Sequence, residues 1–282
     1  MVLGKRIPES LQASIQHWLP PAALLLLKRH LGSIHYEGDY ARWADAQADC
    51  DGYEARVILE RTTEAARTVK RGEAAFERDS VVYTKPASVW PLLSSLLWAA
   101  ARHGGSLSVL DFGGSLGSTY FQHRSWLADL PRLRWSIVEQ PAYVKVGREE
   151  FEDESLKFYE DVPSALRAER SRVLLVSAVL QYLEAPYAVL EELLEAEFDV
   201  ILLDRLAFSA ENRDKLTVQR VGERIYPASY PAWFFDRRKL VGALERRYRL
   251  VQVFQPADRA SGGNYYEGLL LERKMGGSDA AE

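Results

Sequence analysis

The run Val109-Leu110-Asp111-Phe112-Gly113-Gly114-Ser115-Leu116-Gly117-Ser118 constrains this chain more than any other stretch. Val109 and Leu110 read as the end of a buried strand, the glycines as a tight turn, and Thr119 onward as a helix carrying Tyr120, Phe121 and Trp126. Glycine allows φ > 0 and lets a ligand approach without meeting a Cβ, and the following helix N-terminus offers unpaired N–H groups. Strand, glycine turn and helix together make a nucleotide cradle. Asp111, two residues before the first glycine, narrows the ligand. In the dinucleotide fingerprint the turn faces a pyrophosphate, which a carboxylate at the strand end would repel. The same carboxylate suits a positively charged ligand, directly or through water.

S-adenosylmethionine is a ligand of that kind, with a sulfonium, an α-ammonium and no phosphate. The pattern Asp111-x-Gly113-Gly114-Ser115-x-Gly117 resembles the D/E-x-G-x-G-x-G loop of class I S-adenosylmethionine-dependent methyltransferases, with Ser115 where the middle glycine usually stands. On this reading Gly114 takes over the permissive backbone position, and Ser115 still offers a hydrogen bond to the cofactor's carboxylate. The competing reading is a glycine turn in some other α/β protein. A second acid favours the cofactor: Trp135-Ser136-Ile137-Val138 ends in Glu139, whose two oxygens can accept from both ribose hydroxyls. A solvated strand-end acid is the alternative for Glu139. The resemblance also implies an acidic contact to the adenine amino group after the third strand, for which Asp161 is the candidate and Glu160 the second choice. Ligands of such sheets sit outside the carboxyl ends of the strands, which brings in Ser177, Gln181 and Tyr182 after the fourth.

From residue 106 the pattern alternates strand and helix, the signature of a parallel sheet covered on both faces. Strands are expected at Ser106 to Asp111, Arg134 to Glu139, Leu156 to Tyr159, Arg172 to Ser177 and Val200 to Asp204. A Pro-rich segment, a helix at Arg237 to Arg247 and two strands, Tyr248 to Gln255 and Tyr265 to Arg273, follow. The expected fold is therefore α/β, a Rossmann-like class I methyltransferase sheet, mostly parallel with a C-terminal antiparallel hairpin and an N-terminal helical extension. Residues 1–86 read as a helical lid or docking region, 87–274 as the methyltransferase domain and 275–282 as a disordered tail. Within the first part, helices are expected over Tyr53 to Lys70 and in two short pieces before residue 40; Val89 to Arg102 is an apolar helix stopped by Gly104-Gly105.

Composition excludes several other classes. Among 282 residues the net charge is −4 with no strongly basic run, so nucleic acid is not an expected partner. The lone Cys50 rules out an internal disulfide or a cysteine zinc site and suits a cytoplasmic compartment. Five histidines without an H-x-x-x-H pair give no expected metal. Leu19 to Leu27 is far shorter than the ~20 residues of a spanning helix, so it reads as a docking helix, with peripheral membrane contact as the second reading.

On the acceptor side, Asp204-Arg205 ends the fifth strand, where the guanidinium would suit a carboxylate or phosphate or close an internal ion pair. Tyr182, Asp204 and Arg205 are the candidate catalytic residues, with His123 as a base of undecided orientation. The stretch Tyr226-Pro-Ala-Ser229-Tyr230-Pro-Ala-Trp233 offers aromatic faces on a stiff loop, fit to stack on sugar rings or to pack the N-terminal part onto the core. With Tyr40-Ala41-Arg42-Trp43, Gly72-Glu73, Glu77-Arg78-Asp79-Ser80 and Val179-Leu180-Gln181-Tyr182-Leu183, it makes residues 35 to 273 resemble a family of uncharacterised methyltransferases met in bacterial gene clusters for surface polysaccharides. The resemblance implies fold, cofactor and a sugar-containing or other small-molecule acceptor, in a monomer or homodimer. The alternatives are a catalytically silent binding module of the same fold and a nicotinamide-dependent oxidoreductase, which Asp111 disfavours.

Overall fold

The computed structural model describes residues 34–50, 55–222, 228–256 and 263–274. The expectations for residues 1–33, for the Asp51-Gly52 turn and for the tail from Met275 lie outside them. In chain order the first elements are β1 (His35–Tyr40), α1 (Trp43–Ala48), α2 (Ala55–Lys70), the hairpin β2 (Phe76–Arg78) and β3 (Val81–Tyr83), and α3 (Trp90–Arg102). The alternating core follows: β4 (Ser106–Phe112), α4 (Ser118–Leu127), β5 (Arg132–Val138), α5 (Pro141–Val146), β6 (Leu156–Tyr159), α6 (Val162–Ala168), β7 (Val173–Ser177), α7 (Pro186–Glu195) and β8 (Val200–Phe208). The chain closes with β9 (Lys215–Val221), β10 (Ala228–Phe234), α8 (Arg237–Glu245), β11 (Tyr248–Phe254) and β12 (Tyr265–Arg273).

Seven strands form the central sheet in the order β11-β12-β8-β7-β4-β5-β6. The five from β4 to β8 pair in parallel, while β12 pairs antiparallel with both β8 and β11. This is the mostly parallel, Rossmann-like sheet with the C-terminal antiparallel hairpin that the sequence predicts. Its central strands are near-continuous aliphatic runs because both faces are covered. Strand side chains alternate sides, so Leu107, Val109, Val173, Leu175, Val200 and Leu202 meet α2, α3 and α4 on one face. Leu110, Leu174, Val176, Ile201 and Leu203 meet α7 and α8 on the other. The C-terminal ends of β4, β5 and β7, together with β8, open toward one edge, and the site lies there.

The N-terminal part carries the helix expected over Tyr53 to Lys70 as α2, but residues 35–40 differ from expectation. Residues 35–40 are a strand, and β1, β9 and β10 form a second, antiparallel sheet. Both β9 and β10 fall in the stretch read as a Pro-rich connection. Pro231 pairs opposite Val218 in β10, an edge strand of this sheet, where a missing N–H costs the ladder least. Strand β8 also runs four residues beyond Asp204, to Phe208, because Leu206, Ala207 and Phe208 are buried and β12 pairs along the extension. No described helix is long and apolar enough to cross a membrane.

Candidate active site

The turn after β4 is held by its own backbone and by what lies beneath it. The Gly113 N–H donates to the Val138 carbonyl at 2.9 Å, tying the turn to the end of β5. Gly113 has φ +72°, and a Cβ there would stand 2.5 Å from Val179 Cγ2. Gly114 needs no positive φ; it is required for space, because a Cβ would sit 2.6 Å from the Asp111 carboxyl. The permissive position is therefore not Gly114 but Ser115, which itself adopts φ 54°. Left-handed backbone costs a non-glycine residue roughly 1–2 kcal/mol. Glu139 offsets that cost: its Oε1 accepts the Ser115 N–H at 3.2 Å while Oε2 accepts the Gln140 N–H at 2.8 Å. Gly117, at φ +93°, starts α4.

Asp111 is 1% exposed. Its Oδ2 accepts the indole N–H of the fully buried Trp135 at 3.0 Å. Burial pushes the Asp111 carboxyl up to about 7, against the pull of the Trp135 hydrogen bond and with a contribution from the Glu139 charge. Burial also raises Glu139, opposed by its two backbone donors. The two strand-end acids are thus one construction, with Asp111 bracing the turn from below and Glu139 pinning it from the side.

Two lobes of one cleft flank this turn. The first, about 720 Å³, is lined by Glu139, Pro141 and Glu160 together with Phe112, Leu183 and Ser229. The second, about 510 Å³, runs inward past Asp111, Gly114 and Ser115 to Glu77, Arg205 and Gln219. Gly113, Tyr143, Ala178, Val179, Tyr182 and Tyr230 line both, so the lobes are continuous. Pockets of this size accommodate a small organic ligand or cofactor.

The predicted residues divide by position. Asp161 lines neither lobe: it caps α6, its oxygens accepting the Ser164 N–H at 2.6 Å and the Ser164 hydroxyl at 2.9 Å. The neighbouring Glu160 is the acid that reaches the cleft. Ser177 and Gln181 line the inner lobe. Asp204 is buried behind them and lines neither lobe; it accepts the Ser177 hydroxyl at 2.8 Å. Arg205, at φ 54°, faces the inner lobe, with its Nη1 3.3 Å from Asp79 and its Nε 3.3 Å from Ser177 Oγ. Of its two anticipated roles, the internal ion pair is the one seen. Trp233 lies outside the cleft lining, stacked on Trp43 at 6.4 Å and donating to the Leu183 carbonyl at 3.1 Å. It packs the second sheet onto α1, whereas Ser229 and Tyr230 from the same strand line the cleft. Tyr226 lies outside the described residues. His123 is wholly buried and accepts the Val89 N–H through Nε2 at 3.3 Å, with Nδ1 2.9 Å from the Thr119 carbonyl. Burial lowers its pKa, and it takes no part in the site.

The inner lobe also holds Tyr36, Gln219 and Tyr266, which the sequence does not single out. The Tyr182 hydroxyl donates to Gln219 Oε1 at 2.9 Å, and Gln219 Nε2 reaches the Tyr230 hydroxyl at 2.9 Å. Tyr36 and Tyr266 share a hydrogen bond of 2.6 Å. Glu77 and Asp79 arrive on the β2–β3 hairpin, whose turn places Asp79 and Ser80 at φ 51° and 65°. Residues held in sparsely populated backbone regions cluster where function is built, and here Asp79, Ser80, Ser115, Ala178 and Arg205 all line the inner lobe.

No family model matches the chain, and no curated protein matches it in sequence. Among solved structures it is similar to the N-terminal domain of EvdMO1 in the presence of SAH (S-adenosylhomocysteine) and D-fucose, at 15% identity over 79% of this chain and 98% of that one, with a TM-score of 0.47. It is also similar to the glycopeptide N-methyltransferase MtfA complexed with sinefungin, at 12% identity over 64% and 94% of the two chains and a TM-score of 0.47. A third similarity is to magnesium protoporphyrin IX methyltransferase (ChlM) from Synechocystis PCC 6803 with bound SAM, at 11% identity over 96% and 100% and a TM-score of 0.44.

Proposed function

We propose that the protein is an S-adenosylmethionine-dependent methyltransferase of small, sugar-containing acceptors. The observation that carries this reading is the linked pair of strand-end acids, Asp111 under the glycine turn and Glu139 pinned to Ser115, facing a cleft at the carboxyl edge of a parallel sheet. The donor set fits the cofactor. On this reading Glu139 takes the ribose hydroxyls and Glu160, which lines the same lobe, takes the purine, while the carboxylates disfavour a pyrophosphate.

When bound, S-adenosylmethionine supplies a methyl group on a sulfonium. The chain's own residues have two tasks: to hold an acceptor in line and to keep water out. Tyr36, Tyr182, Tyr230 and Tyr266, with Gln219 as a hub, offer hydroxyls, an amide and aromatic faces to a polyhydroxylated ring. Arg205 is fixed by Asp79 and Ser177, and Asp204 positions Ser177 from behind. The resemblance to methyltransferases of surface-polysaccharide gene clusters supports a glycan or glycan precursor as acceptor.

Calorimetric titration tests the reading. Micromolar binding of SAH with none of NADH is expected. Absence of SAH binding up to millimolar ligand, or binding of NADH instead, overturns it.

A further inference from the structure

Glu77 is a carboxylate buried at 3% exposure in the wall of the inner lobe. One oxygen accepts the hydroxyl of Ser118, the first residue of α4, and the other accepts the Ser80 N–H at 3.3 Å. A carboxylate has about four acceptor sites, so capacity remains. Among the described residues, no Lys, Arg or His nitrogen lies within ion-pair distance of it. Arg205 acts on Glu77 only at longer range and is committed to Asp79 and Ser177. Burial pushes the carboxyl up to about 6, with the Asp79 charge adding to the shift. A buried carboxylate without a cation is costly, and a ligand cation relieves the cost. Asp111, the acid the sequence offers for that charge, is covered by Gly114 and bonded to Trp135.

We infer that Glu77, rather than Asp111, is the ligand of the cofactor's α-ammonium group, an assignment that rests on the cofactor reading above. The hairpin that carries Glu77 sets it against Ser118, at the start of the helix that follows the glycine turn, in the same lobe as Gly114 and Ser115. The amino-acid portion of the cofactor would extend along this wall, away from Glu139.

The test uses three ligands that differ in that portion: SAH, 4-(5′-adenosylthio)butanoate, which lacks only the ammonium, and 5′-methylthioadenosine, which lacks the amino acid altogether. A charge-assisted hydrogen bond predicts that the wild type prefers SAH over the butanoate by roughly 10- to 100-fold. Glu77→Gln is expected to weaken SAH by a similar factor while changing 5′-methylthioadenosine by less than about two-fold. Equal affinity of the wild type for SAH and the butanoate overturns the assignment without using a variant. Unchanged SAH binding in Glu77→Gln, or parallel loss of both SAH and 5′-methylthioadenosine, also overturns it. Failure of the wild type to bind any of the three refutes the cofactor reading itself.

Discussion

Asp111→Asn is expected to make the ligand-free protein more stable. In the folded chain burial moves the Asp111 carboxyl from the ordinary 3.8 to about 7. Such a group holds its proton more tightly folded than unfolded. Stability from this group is therefore complete below pH ~4 and is lost as pH rises to ~7. At 1.36 kcal/mol per pH unit, the charged form costs on the order of 4 kcal/mol above that window. Asparagine keeps an oxygen for the Trp135 indole and has no charge to bury. Denaturant unfolding of both proteins at pH 5 and pH 8 isolates the effect, because other titrating groups are common to the two. The stability difference, Asn variant minus wild type, should increase by about 3 kcal/mol between those pH values. A difference that does not change with pH, or a variant that loses ground at pH 8, refutes the reasoning.

Gly114→Ala drives a methyl to 2.6 Å from the Asp111 carboxyl. Overpacking and loss of the Trp135 hydrogen bond should together cost about 2–4 kcal/mol by chemical unfolding, and a cost below 1 kcal/mol would show that the turn gives way. Glu139→Ala removes the acceptor for the Ser115 and Gln140 N–H groups and the proposed ribose ligand; a loss of roughly 10- to 100-fold in SAH affinity is expected by calorimetry. Tyr182→Phe leaves Gln219 without one of its partners and should lower stability by about 1–2 kcal/mol in urea titration. Asp161→Ala, which removes a helix cap, should lower stability by about 1 kcal/mol and leave SAH affinity untouched.

The parts of the site that were legible in the sequence are those built locally. Asp111, Gly113 and Glu139 sit where a buried strand meets a turn, and the strand ends follow from the apolar runs that precede them. Asp161 shows the limit of that logic: an acid at a strand end is also an acid before a helix, and here Ser164 claims it. The inner lobe was not legible because it is assembled from distant segments. Tyr36 and Tyr266 are 230 positions apart, and Tyr182 meets Gln219 across 37. The second sheet was hidden by Pro231, a breaker in sequence terms that an edge strand tolerates. The motif Glu77-Arg78-Asp79-Ser80 stood out in the resemblance, yet nothing local says that its hairpin turns back onto the start of α4.

A crystal structure of the protein with SAH measures the central claim most directly. The account predicts ribose hydroxyls on Glu139, the purine toward Glu160, the thioether over the turn from Gly113 to Ser115, and the ammonium on Glu77. A ligand bound elsewhere, or one in this cleft with its ribose away from Glu139, contradicts it.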